Sequence, residues 1–80
     1  MIFEEMPAPF KGMKLWGAGG TKRQYVIMQA GEDFTASAKE KTLSKSNRNK
    51  THYLIPYDQP VKTFEEAKAV CEADNTPIKN

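Results

Sequence analysis

Apolar residues recur along this chain in two rhythms, every second position through its middle and every third to fourth position near its end. The final rhythm is the sharper. Phe64, Ala67, Val70 and Cys71 fall at helical spacing, which puts them on one stripe of an amphipathic helix. Thr63 precedes the first of them and Glu66 follows three residues later. That spacing makes a capping box, in which the Thr63 hydroxyl accepts from the Glu66 N–H and the Glu66 carboxylate accepts from the Thr63 N–H. The pattern predicts a helix from Thr63 to about Asp74, with Pro77 in a frayed tail.

Upstream the period shortens to two. Phe34, Ala36 and Ala38 alternate with Thr35, Ser37 and Lys39, as in a strand with one buried face. Lys22 to Ala30 and Thr51 to Ile55 also read as strands, the latter stopped by Pro56, and Gly12 to Trp16 alternates more weakly. Gly17-Ala18-Gly19-Gly20 reads as a hairpin turn ending that first strand, and Gly31-Glu32-Asp33 as a second turn. Pro7 and Pro9 bracket Ala8, so residues 1–11 are expected to form an extended N-terminal arm. Residues 12–80 are then a single α+β domain, an antiparallel meander of about four strands with one C-terminal helix packed on one face.

That plan leaves a surface unaccounted for. Tyr25-Val26-Ile27-Met28 and Tyr53-Leu54-Ile55 are apolar on both faces, the pattern of strands buried on two sides. One helix covers only one side. The arm could cover the other with Ile2, Phe3, Met6 and Phe10; the alternatives are a second copy of the chain or a different protein.

Composition narrows the classes further. A chain of 80 residues with 39% hydrophobic and 28% charged residues is an ordinary folded domain with a small core. Its net charge of +2 is too small to imply nucleic acid by itself. The single cysteine, Cys71, can form no internal disulfide, which fits a reducing, cytoplasmic setting. The start, Met1-Ile2-Phe3-Glu4-Glu5, lacks the basic and apolar regions of a signal peptide. No apolar run approaches the roughly 20 residues that span a bilayer, so no membrane partner is expected.

Few constellations suggest chemistry. Gly17-Ala18-Gly19-Gly20-Thr21-Lys22 resembles a phosphate loop in composition, but its spacing is wrong and a strand follows where such a loop requires a helix. Lys39, Lys41, Lys45, Arg48 and Lys50 stand against Glu40 alone, a local net of +4 interleaved with Ser and Asn. Such a loop either solubilises a hairpin or meets phosphates or an acidic partner. Trp16, Tyr53 and Tyr57 are the aromatics placed to stack on bases beside it, provided their rings are exposed. Cys71 and His52 are the only nucleophile and base pair, yet Cys71 lies on the apolar stripe, where a thiol serves as a small hydrophobe. Glu65 and Glu66 fall in the first helical turn and complement its dipole. No spacing of carboxylates, His or Cys suits a metal, and no cofactor is implied.

The residues therefore favour binding over catalysis. The expectation is a non-enzymatic protein-interaction module, a small inhibitor or adaptor of phage or mobile-element type. It would meet a protein partner or itself through the uncovered sheet face or a sheet edge. The alternative is a nucleic-acid-binding protein using the basic loop 39–50 and nearby aromatics.

Overall fold

A computed structural model describes residues 1–40 and 51–75. Strands β1 (Glu4–Met6), β2 (Met13–Gly19), β3 (Arg23–Ala30), β4 (Asp33–Glu40) and β5 (Thr51–Ile55) form one antiparallel sheet in chain order. Helix α1 (Phe64–Asn75) packs across β3, β4 and β5. The fold is α+β, with five strands where the sequence suggests about four. The fifth comes from the arm. Pro7 and Pro9 keep the arm extended, and an extended segment beside the β2 edge satisfies its backbone groups by pairing, with Glu4 opposite Gly17 and Met6 opposite Leu15.

The glycine run also behaves differently from expectation. β2 continues through Gly17, Ala18 and Gly19, and the chain reverses at Gly20-Thr21-Lys22, where the Gly20 N–H donates to the Arg23 carbonyl at 2.8 Å. Gly17 answers a packing need within the strand. The Met6 Sδ lies only 2.8 Å from the point a Cβ at Gly17 would occupy, so Met6 lies flat across the β2 backbone. At the next turn Gly31 takes φ +64°, a left-handed conformation in which glycine carries no Cβ penalty.

Beneath the helix lie Tyr25, Ile27, Phe34, Ala36, Ala38 and Ile55, packed with Ala67 and Cys71. The side chains of β4 and α1 at this contact are mostly small, which lets the helix sit close to the sheet. Around the start of α1, Phe64 meets Trp16 at 4.9 Å, Phe3 at 6.0 Å and Phe34 at 6.3 Å between ring centroids, all edge-on, an arrangement favoured by the ring quadrupoles. The Glu66 N–H donates to the Thr63 hydroxyl at 3.1 Å, so the Thr63 half of the predicted capping box forms, whereas the return bond from the Thr63 N–H to the Glu66 carboxylate does not. The other end of α1 is held by polar contacts. Asp74 accepts from the Tyr25 hydroxyl at 2.6 Å and from the Arg23 guanidinium at 3.1 Å, and the Asn75 side-chain oxygen accepts the Thr21 N–H at 2.7 Å.

Candidate functional site: the open face of the sheet

Strand alternation sends half of the sheet's side chains away from α1, and cross-strand register sorts them into rows. One row runs Glu4, Gly17, Val26, Ser37, Tyr53; a second runs Met6, Leu15, Met28, Thr35; a third runs Gly19, Gln24, Lys39, Thr51. The face is therefore apolar at Met6, Leu15, Val26 and Met28, with exposed Glu4 and Gln24 beside them, and mostly polar over β4 and β5. Met6, Leu15, Val26 and Met28 are half-buried by one another. Between β3 and β4 lies a shallow depression lined by Gln24, Val26, Ser37, Ala38 and Lys39.

Tyr53 reaches this face through an irregularity in β5. Ile55 pairs with Ala36 and Tyr53 with Ser37, so Leu54 is an extra residue, a β-bulge. Without it, Tyr53 would pair with Ala38 and lie beneath the helix. The bulge keeps Ile55 and Leu54 packed with the core while turning Tyr53 outward. Tyr53 is 57% exposed and Tyr57 64% exposed, with ring centroids 5.6 Å apart. A strict two-residue period cannot reveal this placement, and the sequence carries no signal for the bulge.

Of the residues singled out from the sequence, Lys39, Tyr53 and Tyr57 come together at the polar end of the open face. Lys39 is exposed. Lys41, Lys45, Arg48 and Lys50 lie outside the described residues. Trp16 is placed elsewhere, on the helix side, within contact of Phe34 and Phe64. Its ring belongs to the core margin and does not share a face with the two tyrosines.

Cys71 is fully buried, and burial, with Asp74 and Glu72 nearby, pushes its thiol up to about 11. A thiol so held is a poor nucleophile. His52, on β5, places its Nε2 3.3 Å from Glu40 Oε2 without forming a hydrogen bond, and no hydrogen bond joins His52 to Cys71 among the described residues. Glu40 accepts from Arg23 Nε at 2.5 Å. That bond, with Asp74 adding to it, raises the Arg23 guanidinium further above its ordinary value. Burial and the bond to Asp74 likewise push the Tyr25 phenol far up. This cluster of Arg23, Tyr25, Glu40, His52 and Asp74 was not legible in the sequence, since its members are scattered over three strands and the helix. Its geometry is that of a clamp joining the end of α1 to the sheet. Among the described residues no group of three or more His, Cys, Asp or Glu side chains could hold a metal, and no helix is long and apolar enough to cross a membrane.

Both sheet edges are blunted. β1 is three residues long, carries Glu4 and Glu5 and is followed by Pro7; β5 is bulged and ends at Pro56. Short, charged, proline-flanked and bulged edges resist strand addition. No protein-family model, curated protein or solved structure matched this chain.

Proposed function

We propose that this protein is a non-enzymatic interaction module, a small inhibitor or adaptor, whose contact surface is the open face of the sheet. One observation carries the reading: Val26 and Met28 stand on that face, flanked by Leu15 and Met6, with no element of the fold above them among the described residues. Contiguous apolar surface rimmed by polar groups marks contact sites, because water leaves it at a gain of roughly 25 cal/mol per Å². Three of the face's side chains are methionines, Met6, Met13 and Met28, whose flexible thioethers adapt to a partner's contour. The exposed tyrosines add rigid amphipathic anchors of the type enriched at interface centres.

A second reading has one observation in its favour. Exposed Tyr53 and Tyr57 share the face with exposed Lys39, a pairing that also suits stacked bases and a phosphate. Capture from the native host's lysate, with and without nuclease, separates the two. The protein-partner reading expects a captured protein that survives nuclease and is lost with Val26→Lys but kept with Ala69→Lys, a change on the exposed side of the helix. Capture that disappears with nuclease, or that ignores Val26→Lys, contradicts it.

A further inference from the structure

Resting on that reading, we infer that the occupant of the open face is a second copy of this chain, packed sheet to sheet about a two-fold axis running along β3. The argument is one of charge. Among strand residues on this face, Asp33 is engaged by Lys62, whereas Glu4 and Lys39 make no ion pair among the described residues. They stand at opposite margins, Glu4 on edge strand β1 and Lys39 on β4, on either side of the central strand β3. A face with its unpaired acid on one side and its unpaired base on the other is complementary to itself once turned over.

Two arrangements close a face-to-face dimer with the strands aligned. An axis across the strands stacks β1 on the partner's β1 and brings Glu4 towards the partner's Glu4, an opposition of like charges that disfavours the pairing. An axis along β3 instead lays β1 over the partner's β5 and β2 over its β4. The row Glu4, Gly17, Val26, Ser37, Tyr53 then meets itself reversed. Val26 packs on the partner's Val26, and Glu4 faces the partner's Tyr53, whose phenol can donate to the carboxylate. The partner's Lys39 sits above Gly19, which leaves room for its stem. From there Glu4 is one strand and two residues away, about 8 Å in the plane of the sheet from the usual spacings of about 4.8 Å and 6.6 Å, within the combined reach of the two side chains. Two such pairs form per dimer. Aligned sheets commonly pack in this way with interdigitated side chains.

The test is the solution mass, by sedimentation and light scattering, of the intact chain and of charge-swapped variants. The intact protein is expected at twice the 9.0 kDa chain mass, with a dimer dissociated by Val26→Lys. Glu4→Lys alone and Lys39→Glu alone should each weaken the dimer several-fold. Mixing these two variants should restore it, because both cross-subunit contacts then join opposite charges. All three substitutions lie on the surface of the sheet, and far-ultraviolet circular dichroism verifies that each variant is folded. A single-chain mass at every concentration overturns the dimer and leaves the open-face reading to its capture test. A dimer indifferent to Val26→Lys, or a mixture that fails to recover, overturns this interface; indifference to Val26→Lys also removes the face as the site of self-contact.

Discussion

Val26 and Ile27 are neighbours in β3, yet Ile27 is sealed beneath the helix while Val26 points to the opposite side and stays half-buried. The pair divides the molecule into a face that α1 completes and a face that the described chain does not. On the completed side, burial of small and aromatic side chains holds the helix. On the other, Met6 lies over Gly17 and Met28 beside Leu15, an apolar surface smoothed by its own side chains.

Asp74 fastens the end of α1. It accepts charge-assisted and phenolic hydrogen bonds from Arg23 and Tyr25, and such bonds contribute about 1.5–3 kcal/mol each when a charged group is involved. Because Arg23 and Asp74 are partly exposed, solvent screening brings the expected loss for Asp74→Ala to about 1–3 kcal/mol. Urea denaturation should show a lower midpoint with an unchanged slope.

The cap at the other end is worth less. Thr63→Ala removes the oxygen that accepts the Glu66 N–H, a change that costs about 1 kcal/mol. In a domain of this size that lowers the thermal midpoint by about 4–8 °C. Thr63→Ser, which keeps the oxygen, should stay near the parent midpoint.

Alkaline pH should loosen the core with a definite sign. The Cys71 thiol ordinarily titrates at 9.0 and is pushed up to about 11 in the folded chain. Between those values the unfolded chain gives up its proton while the folded chain keeps it, so the stabilisation present below pH 9 is lost as pH rises towards 11. At about 1.4 kcal/mol per pH unit the loss is on the order of 2 kcal/mol. Tyr25, raised in the same direction, steepens the fall above pH 10. Denaturation midpoints measured from pH 7 to 11 should decline, less so for Cys71→Ala, and a thiol reagent should label Cys71 rapidly only after unfolding.

Much of the architecture was legible because local rules act alone there. The alternation of Phe34, Ala36 and Ala38, the stop at Pro56 and the Thr63 cap each depend on near neighbours, and the structure has them as the spacing predicts. What escaped depends on distant ones. Glu4–Met6 becomes a strand because β2 offers an edge, and Gly17 lies within a strand because it pairs with Val26 of β3, Met6 filling the space that a Cβ there would need. The outward turn of Tyr53 depends on the bulge at Leu54. The unequal faces of the sheet could be anticipated from Tyr25-Val26-Ile27-Met28, whereas the separation of Trp16 from Tyr53 and Tyr57 follows only from cross-strand register.

The most direct test of the open-face account uses the chain's own methionines. Met6, Met13 and Met28 stand on the open face, while Met1 packs against the core on the helix side. Limited peroxide oxidation, read residue by residue by mass spectrometry, compares dilute protein with its associated state, whether self-associated or bound to a captured partner. The account predicts that association slows oxidation of Met28 and Met13 markedly while Met1 oxidises at an unchanged rate. Equal rates at Met13 and Met28 in the free and associated states would contradict it.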